Sequence, residues 1–491
     1  MRSRYFSLFY CVFFCYNTIV FEFSERKELP DMGKEKQRKT KYHLSPVQFI
    51  PLSFLFAIAV GTLLLMLPFA TAKGESTGIL TALFTATTST CVTGLVVVDT
   101  YSHWSTFGQA VILLLIQVGG LGIVAVGSMI MLLGKRKFSF SERKLLGDSL
   151  NFEKNRGLMD FLKRIFKGTF LVEGCGMALY AIRFIPAYGA VKGIWYSLFQ
   201  AVSAFCNAGM DILGPNSMMD FNGDGLLMGV TMLLIVLGGL GFIVWFDILD
   251  GIREGIKNHL NPYRIMCHLS EHSKLVLVMT AVLLLAGTAG ILAAEYTNPA
   301  TIGEMSLPKK LLNSLFQSVT FRTAGFASVP QESLRETSCV MGCVLMFIGG
   351  SPIGTAGGVK TVTAFLVLTN AFHYVRGDKE SVVFRRKVSR EMMRKAAAVV
   401  LISFGALLFM LLLLMGTGNI PLTDAIYEVV SAIGTVGLSR ALTPTLNVAG
   451  RIIIILTMYL GRIGPISLAC FFAKENSQNQ IRHAEGTFYV G

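Results

Sequence analysis

The sequence predicts an all-α membrane protein in which eight transmembrane helices form four repeats of helix, pore loop and helix, with a pseudo-fourfold arrangement around one pore. Three observations lead to this fold: the apolar composition, the number of long apolar stretches, and a polar segment that recurs four times. Of the 491 residues, 53% are hydrophobic and only 15% are charged. This balance leaves too little polar surface to cover a water-soluble globule, so the bilayer is the expected solvent.

Eight apolar stretches are long enough to cross a bilayer, whose hydrocarbon core of ~30 Å needs about 20 helical residues. An even number of spans places both chain termini on the same side of the membrane. The stretches lie near 46–71, 106–133, 165–186, 226–249, 274–294, 338–372, 396–415 and 448–472.

Basic residues lie mostly on one side of this predicted topology. The connection 134–168 contains ten Lys and Arg residues and 371–395 contains eight, whereas the segments 95–108, 210–226 and 416–438 contain none. The positive-inside bias therefore places both termini in the cytoplasm and the multi-pass chain in the cell membrane. Topology and anionic lipid explain the formal charge of +14 without a nucleic acid, and a cytosolic protein partner is the alternative explanation.

The expected boundaries follow from the apolar stretches. Residues 1–45 form an N-terminal cytosolic segment, in which we interpret 1–31 as an extension or a wrongly assigned start; a short signal-like segment is the alternative. The nine cysteines are scattered without metal-ligand or CxxC spacing. The four repeats are expected at 46–134, 160–250, 270–375 and 390–475, followed by a cytosolic tail at 476–491.

Four polar segments between consecutive spans share one register. Each has an aromatic residue followed by a polar one, and each reaches a glycine nine, nine, eight and nine positions after the polar residue. A second glycine cluster follows 24 to 29 positions further on in every copy. The segments read TALFTATTSTCVTGL at 81–95, YSLFQAVSAFCNAGM at 196–210, NSLFQSVTFRTAGFA at 313–327 and DAIYEVVSAIGTVGL at 424–438.

Each polar segment is too short to span the bilayer, so we interpret it as a half-helix that enters the membrane and returns as extended backbone. Such backbone is tolerated at this depth only where protein buries it or where it lines a wet cavity. The alternative is that these loops merely fill gaps between helices. A gap-filling loop gains nothing from a glycine at the same place in every copy, because glycine costs conformational entropy.

Converging neutral carbonyl groups at four such loops are suited to a potassium ion, because they replace its hydration shell without holding it too tightly. No ring of carboxylates is present, which disfavours a divalent-cation filter. The predicted potassium-binding residues are Val92, Thr93, Gly94, Asn207, Ala208, Gly209, Thr323, Ala324, Gly325, Thr435, Val436 and Gly437.

The motifs STCVTGL, AFCNAGM, TFRTAGF and AIGTVGL, with the glycine-rich spans after them, resemble the Trk/Ktr/HKT superfamily of potassium transporters over about 46–475. The chain is most similar to the membrane (B-type) subunit of the bacterial Ktr potassium uptake system. The resemblance implies a homodimer with one pore per protomer, gated by a cytosolic ring of nucleotide-binding regulatory subunits of the RCK type. It also implies potassium as the substrate, sodium as an activator, and no cofactor bound by this chain.

The resemblance also bears on selectivity. In the superfamily, a serine in place of the first loop glycine accompanies sodium selectivity, and the matching residue here is Gly94. The resemblance therefore favours potassium over sodium.

A glycine-rich run interrupts the sixth span and cannot remain helical, because glycine and proline both disfavour a helix interior. It resembles the loop that serves as a gate in the superfamily, and a static kink is the alternative. GTAGGVKT at 354–361 is not a phosphate-binding loop, because Val359 separates the glycine from the lysine. The predicted gate residues within 349–358 are Gly349, Gly350, Ser351, Pro352, Gly354, Thr355, Gly357 and Gly358.

Two arginines lie at unusual places. Arg462 falls within the eighth span, where we expect it to face the pore as a barrier to cations or to hold the glycine-rich run; an ion pair at the cytosolic end is the alternative. Arg322 stands next to the third carbonyl run. We expect it to pair with an acidic residue such as Glu428 or to brace the loop from behind.

Two other classes of protein were weighed against this interpretation. An alternating-access secondary transporter for another small solute also uses repeats and broken helices. Such carriers usually have two larger repeats with ionisable groups near the substrate, whereas this chain has four short, mainly uncharged ones. An enzyme would need a nucleophile, a metal cluster or an acid/base pair within the spans, and the histidines form no such motif.

Overall fold

The computed structural model describes residues 46–133, 157–259, 261–378 and 380–464. These residues form a helical protein with one short β-hairpin. The expected N-terminal segment 1–45, most of the basic connection 134–168 and the expected tail 476–491 lie outside the described residues.

The helices follow one another as α1 Pro46–Leu65, α2 Ile79–Cys91, α3 Thr100–His103, α4 Thr106–Leu121, α5 Ile123–Leu133, α6 Leu158–Tyr188, α7 Ala190–Cys206, α8 Gly225–Leu240, α9 Phe242–Lys257, α10 Pro262–His268, α11 Glu271–Glu295, α12 Leu307–Thr320, α13 Glu336–Phe347, α14 Thr361–Arg376, α15 Arg390–Met415, α16 Leu422–Gly434 and α17 Val448–Ile463. Short 3₁₀ turns lie at Pro68–Ala70, Met219–Phe221, Gln331–Ser333 and Thr443–Thr445. Strands β1 (Val382–Val383) and β2 (Arg386–Lys387) pair antiparallel between α14 and α15.

A long apolar helix opens each predicted repeat. These four helices, α1, α6, α11 and α15, are long and apolar enough to cross a membrane. Large aliphatic side chains on them are exposed, among them Leu63, Leu171, Leu285 and Leu412, each at least 65% exposed. Exposure of so many large apolar side chains is expected where the surrounding solvent is lipid.

The second span of repeats 1 and 2 differs from the single helix that the sequence predicts. The chain bends by 95° between α4 and α5 and by 98° between α8 and α9. Gly122 and Gly241 form the two bends with φ of +88° and +87°, a conformation that side chains other than glycine rarely adopt. The predicted spans 106–133 and 226–249 are therefore each two helices at nearly a right angle.

The remaining two predicted spans contain shorter helices. The 338–372 stretch is α13, the glycine-rich run and α14, while α17 has 16 residues before the described part of 448–472 ends. By length and composition, four described helices qualify as spans, or six if each bent pair is one span. The number of eight stays a prediction.

Four shorter helices lie between the long ones, and we call them pore helices 1 to 4: α2, α7, α12 and α16. The aromatic residue that marks each polar segment is fully buried in its pore helix. Burying an aromatic side chain is among the larger apolar contributions to stability. The four anchors are Phe84, Phe199, Phe316 and Tyr427, each 0% exposed.

The bend at Gly241 offers a test of how this architecture is held. A β-carbon at Gly241 would overlap the carbonyl oxygen of Pro352, whereas one at Gly122 would meet no atom within 4 Å. Both Gly→Ala variants carry backbone strain of roughly 1–3 kcal/mol. We expect Gly241→Ala to lower the thermal unfolding temperature of the detergent-solubilised protein clearly more than Gly122→Ala does. Equal losses would show that contact with the glycine-rich run contributes nothing to stability.

Candidate functional site

Each pore helix ends in a backbone conformation that aims the following segment away from the helix axis. A residue with positive φ stands two positions before every loop glycine, at φ values of 50° to 67°. Valine and threonine rarely adopt such values because their branched side chains crowd the backbone. These residues are Val92, Asn207, Thr323 and Thr435.

Pore helices 1, 2 and 4 end in the same hydrogen-bond pattern. In pore helix 1, the Val92 N–H donates to the Ser89 carbonyl at 3.2 Å and the Thr93 N–H donates to the Thr88 carbonyl at 2.8 Å. The distances in pore helices 2 and 4 are the same, at 3.2 and 2.8 Å. This is the Schellman motif, which normally has glycine at the left-handed position. A non-glycine residue there is strained, and such strain persists only where surrounding structure enforces it.

The four loops that follow the pore helices meet in a closed ring. We call them filter loops 1 to 4, and they contain Gly94, Gly209, Gly325 and Gly437 in that order. The added β-carbon of each loop glycine would collide with the carbonyl oxygen of the residue before the glycine in the next loop. The ring therefore closes in chain order, and every step needs a residue without a side chain. The collisions are Gly94 with Ala208, Gly209 with Ala324, Gly325 with Val436, and Gly437 with Thr93.

All twelve predicted potassium-binding residues lie in this ring. The eight that precede the glycines are at most 1% exposed. The side chains are uncharged, so the polar groups available to a cation are backbone carbonyl oxygens, threonine hydroxyls and the Asn207 carboxamide. The three hydroxyls, on Thr93, Thr323 and Thr435, are buried and have no hydrogen-bond partner among the described residues. The ring can therefore offer neutral oxygen ligands to a dehydrated cation.

Filter loop 3 differs from the other three. Its positive-φ residue, Thr323, comes one position earlier relative to the aromatic anchor, which explains the spacing of eight rather than nine. Pore helix 3 ends with Phe321 in the right-handed region, and the Ala324 N–H donates to the Thr320 carbonyl at 3.0 Å. The loop nevertheless brings Gly325 into the ring.

The glycine cluster that follows each loop glycine by 24 to 29 positions has a packing explanation. In three repeats, the first glycine of the downstream cluster lies so close to the end of the pore helix in the same repeat that an added β-carbon would overlap a carbonyl oxygen there. These pairs are Gly119 with Thr90, Gly238 with Phe205, and Gly461 with Ile433. A larger residue at any of the three would push the second helix away from the filter loops.

The glycine-rich run 349–358 lies against the break of the fourth span. The Ser351 N–H donates to the Gly239 carbonyl at 2.9 Å, the Thr355 N–H donates to the Gly238 carbonyl at 3.1 Å, and the Phe242 N–H donates to the Ile353 carbonyl at 3.0 Å. These bonds satisfy backbone groups that neither segment can pair within itself. The run is thereby fixed to the break between α8 and α9.

The same run contacts two of the filter loops. The Thr355 hydroxyl donates to the Phe205 carbonyl, at the end of pore helix 2, at 3.1 Å, and lies 3.5 Å from the Asn207 carboxamide of filter loop 2. An added β-carbon on Gly357 would overlap the Thr435 hydroxyl of filter loop 4. The run therefore packs directly against the ring, and its residues Gly349, Gly350, Ser351, Thr355 and Gly357 are buried.

Comparison with known proteins adds to this geometry. A family model described as TrkH, cation transport protein, matches residues 20–484. Ktr system potassium uptake protein B of Bacillus subtilis is 38% identical over 461 residues, 94% of this chain and 100% of that protein. The chain belongs to the TrkH family of cation transport proteins. The predicted superfamily is thus confirmed, and the family is one of transporters rather than enzymes.

Two further comparisons concern a second relative and a solved structure. The potassium/sodium uptake protein NtpJ of Enterococcus hirae is 38% identical over 432 residues, 87% of this chain and 93% of that protein. The crystal structure of the potassium transporter TrkH from Vibrio parahaemolyticus matches with a TM-score of 0.68 at 15% identity, over 89% of this chain and 87% of that chain. At this identity the structural match supports the helical fold alone.

Arg462 joins two parts of this TrkH-family chain that are distant in sequence. Its Nη1 donates to the Thr355 carbonyl of the glycine-rich run at 2.6 Å, and its Nη2 donates to the Gly119 carbonyl and, at 3.2 Å, to the Gly120 carbonyl of α4. Among the described residues, no carboxylate lies within 4.0 Å of it. The alternative of an ion pair therefore finds no partner in the described part of the chain.

A cavity of about 310 Å³ lies where the ends of α4 and α17 face the glycine-rich run. Arg462 and Lys360 both line it. The Lys360 ammonium donates to the Ala356 carbonyl at 2.6 Å. Lys360 is a second cation at this cavity that the sequence analysis did not single out.

Arg322 does not pair with Glu428. Its Nη2 donates to the Gly349 carbonyl at 3.3 Å, so it braces the start of the glycine-rich run. Glu428 instead accepts from the Ser439 hydroxyl at 2.7 Å and from the Thr443 hydroxyl. This buried carboxylate therefore ties pore helix 4 to the segment after filter loop 4.

Four hydroxyl side chains that the sequence analysis missed brace the filter loops. Each stands four residues after the aromatic anchor of its pore helix, so the repeat itself contained the signal. In repeats 1 and 4 the hydroxyl accepts from the loop-glycine N–H, at 2.9 and 3.0 Å. In repeats 2 and 3 it donates to the carbonyl that follows the glycine. The four are Thr88, Ser203, Thr320 and Ser431.

We expect Thr88→Val to destabilise the protein, because it leaves the buried Gly94 N–H without an acceptor at a cost of about 1–3 kcal/mol. Thr87→Val is the matched control, because the Thr87 hydroxyl donates only to the Leu83 carbonyl of its own helix, at 2.8 Å. Thermal unfolding of both variants checks the difference. The bracing role is wrong if Thr88→Val unfolds at the same temperature as Thr87→Val.

Proposed function

We propose that the protein takes up potassium ions across the cytoplasmic membrane through a channel-like pore whose selectivity filter is the ring of four filter loops. The observation that carries this proposal is the closure of the ring. Each loop glycine lies against the carbonyl oxygen of the residue that precedes the glycine in the next loop. Backbone that is neither helical nor paired in a sheet needs a reason to persist at bilayer depth. Coordination of a desolvated cation supplies that reason.

Potassium is the cation that this ring suits best. The carbonyl groups are neutral, which fits a large monovalent ion that must bind weakly enough to leave again. The superfamily resemblance links a serine at position 94 to sodium selectivity, so the glycine found there agrees with a preference for potassium. The relatives named for potassium uptake in Bacillus subtilis and for potassium/sodium uptake in Enterococcus hirae support the same substrate.

In this proposal the glycine-rich run and Arg462 form the gate. The run packs against filter loops 2 and 4, and Arg462 holds its Thr355 carbonyl against α4. The positive charges of Arg462 and Lys360 beside one cavity oppose a cation that leaves the filter. Opening therefore requires that the run and Arg462 separate.

The proposal includes the partners that the superfamily resemblance implies. These are a second copy of the chain, with one pore in each protomer, and a cytosolic ring of nucleotide-binding RCK-type subunits that acts on the gate, with sodium as an activator. The name Ktr system, carried by a relative, supports a multi-subunit assembly. The basic connections 134–168 and 371–395 are the proposed cytosolic docking segments, with both chain termini on the same side.

Uptake of rubidium into proteoliposomes of the purified protein tests the function. We expect uptake that potassium competes for, and a Gly94→Ser variant in which the preference for rubidium over sodium falls by about tenfold, because one loop can no longer approach the next. Gly405→Ser is the control, because an added β-carbon at Gly405 would meet no atom within 4 Å. No rubidium entry, together with flux of an organic solute, would favour an alternating-access carrier instead.

Two Arg462 variants separate a latch from a charge barrier. Arg462→Gln removes both the charge and most of the bonds, and we expect rubidium flux to rise about tenfold, since one hydrogen bond to a charged group is worth about 1.5 kcal/mol or more. Arg462→Lys keeps the charge but cannot reach three carbonyl groups at once. Raised flux in both variants indicates a latch, and raised flux in Arg462→Gln alone indicates a barrier.

Arg451→Gln is the matched control for these variants. Arg451 lies on the same helix and also binds carbonyl groups, those of Leu446 at 3.0 Å and Pro444 at 3.1 Å, but it does not contact the glycine-rich run. The proposed role of Arg462 is refuted if neither of its variants differs from Arg451→Gln in flux.

A further inference from the structure

Arg322 is a buried cation whose charge is only partly offset. Its side chain is 8% exposed, and its one hydrogen bond in the described part of the chain runs from Nη2 to the Gly349 carbonyl at 3.3 Å. Its Nε is buried and has no partner in the described ranges. Among the described residues, no carboxylate lies within 4.0 Å of its guanidinium group.

A charge in this setting needs compensation, because removal of an ion from water is costly unless a counter-charge replaces the lost solvent. The end of pore helix 3 carries a partial negative charge that offsets some of the cost. The Gly349 carbonyl offsets a little more. A full negative charge is still absent from the described surroundings of Arg322.

A small cavity lies beside this arginine, between α8, α11 and α12. Its volume is about 20 Å³, and Arg322, Thr280 and Gly350 line it together with apolar side chains such as Ile235 and Leu284. A cavity needs roughly 10–15 Å³ to hold one water-sized particle. The space is therefore sufficient for a single small ligand.

The polar groups around this cavity are unsatisfied donors. The Thr280 hydroxyl, like the Arg322 Nε, is buried and has no hydrogen-bond partner in the part of the chain that the structure describes, and Thr280 is 8% exposed. Two unsatisfied side-chain donors therefore line one space, and one of them belongs to a fixed cation.

We propose that this cavity binds one chloride ion. An anion can accept hydrogen bonds from both donors and at the same time supply the missing negative charge. A water molecule could accept the same two bonds, but it would leave its own hydrogens among apolar side chains and the arginine uncompensated. A metal cation is excluded by the charge of Arg322.

The position of the site gives the ion a specific effect. Arg322 directly precedes the Thr323 and Ala324 carbonyls of filter loop 3 and also holds the Gly349 carbonyl of the glycine-rich run. A bound chloride fixes the guanidinium group between these two segments. It also cancels a positive charge next to the ring, where that charge would repel a cation.

Bromide is the probe for this site, because it replaces chloride and scatters anomalously. We expect crystals of the full-length protein grown with bromide to show an anomalous peak in the cavity between Arg322, Thr280 and Gly350. Only non-anomalous density in the cavity would identify a water molecule and overturn the proposal. The measurement involves no transport, so its failure leaves the proposed potassium uptake untouched.

Thermal unfolding gives an independent readout in solution. At constant ionic strength, replacement of gluconate by chloride should raise the unfolding temperature of the wild-type protein saturably, because a ligand that binds only the folded state stabilises it. Thr280→Val should need about tenfold more chloride for half of the effect, since it removes one hydrogen bond to an ion. Arg322→Gln should abolish the effect, and Thr280→Val still tests the site if Arg322→Gln does not fold.

Thr288→Val is the matched control on the same helix, because the Thr288 hydroxyl already donates to the Leu284 carbonyl at 2.7 Å. It should retain the chloride dependence of the wild type. An unfolding temperature that does not depend on chloride, or an equal dependence in Thr280→Val and Thr288→Val, would show that this cavity is not a chloride site.

Discussion

Everything in this structure depends on how non-helical backbone is accommodated inside an apolar solvent. Four segments leave their pore helices between the long apolar helices, and lipid around such helices would offer their peptide groups no hydrogen bonds. The chain brings the segments so close together that a β-carbon on any of the four loop glycines would overlap a carbonyl oxygen of the next loop. The requirement for a side-chain-free residue at Gly94, Gly209, Gly325 and Gly437 follows from this approach.

The ring also explains the local strain. Val92, Thr323 and Thr435 adopt positive φ although their side chains are branched at the β-carbon. Such residues are held by their surroundings, here by the helix-end hydrogen bonds below them and by hydroxyl braces such as Thr88 and Ser431. A rigid, preorganised set of carbonyl groups is what selective binding of a desolvated ion requires.

The second layer of the structure packs against the ring. Glycines in the second helices allow those helices to reach the pore-helix ends, and the same clusters break the helices and expose backbone carbonyl groups. Arg322 and Arg462 bind carbonyl groups of this kind, so both positive charges are fixed by the broken backbone rather than by carboxylates. In the proposed function, these fixed positive charges beside the ring are the basis for control of flux.

Much of this could be predicted from the sequence because it depends on local chemistry. Apolar length identified the four long helices, and the repeated aromatic, polar and glycine positions identified the pore helices and the residues of the ring. The same repeat also contained the hydroxyl braces at Thr88, Ser203, Thr320 and Ser431, which could have been predicted but were missed. Membership of the TrkH family agrees with the resemblance that the four glycine motifs suggested.

Only the tertiary structure decided what those residues contact. The right-angle bends at Gly122 and Gly241 could not be predicted, because a glycine inside an apolar helix is often tolerated without a break. The sequence left Arg322 with two candidate partners and Arg462 with several, since a long cationic side chain reaches any oxygen within several ångströms. Their partners are the Gly349 and Thr355 carbonyls, which can accept these bonds because the glycine-rich run is not helical. These contacts join segments that are far apart in the sequence, so local sequence does not predict them.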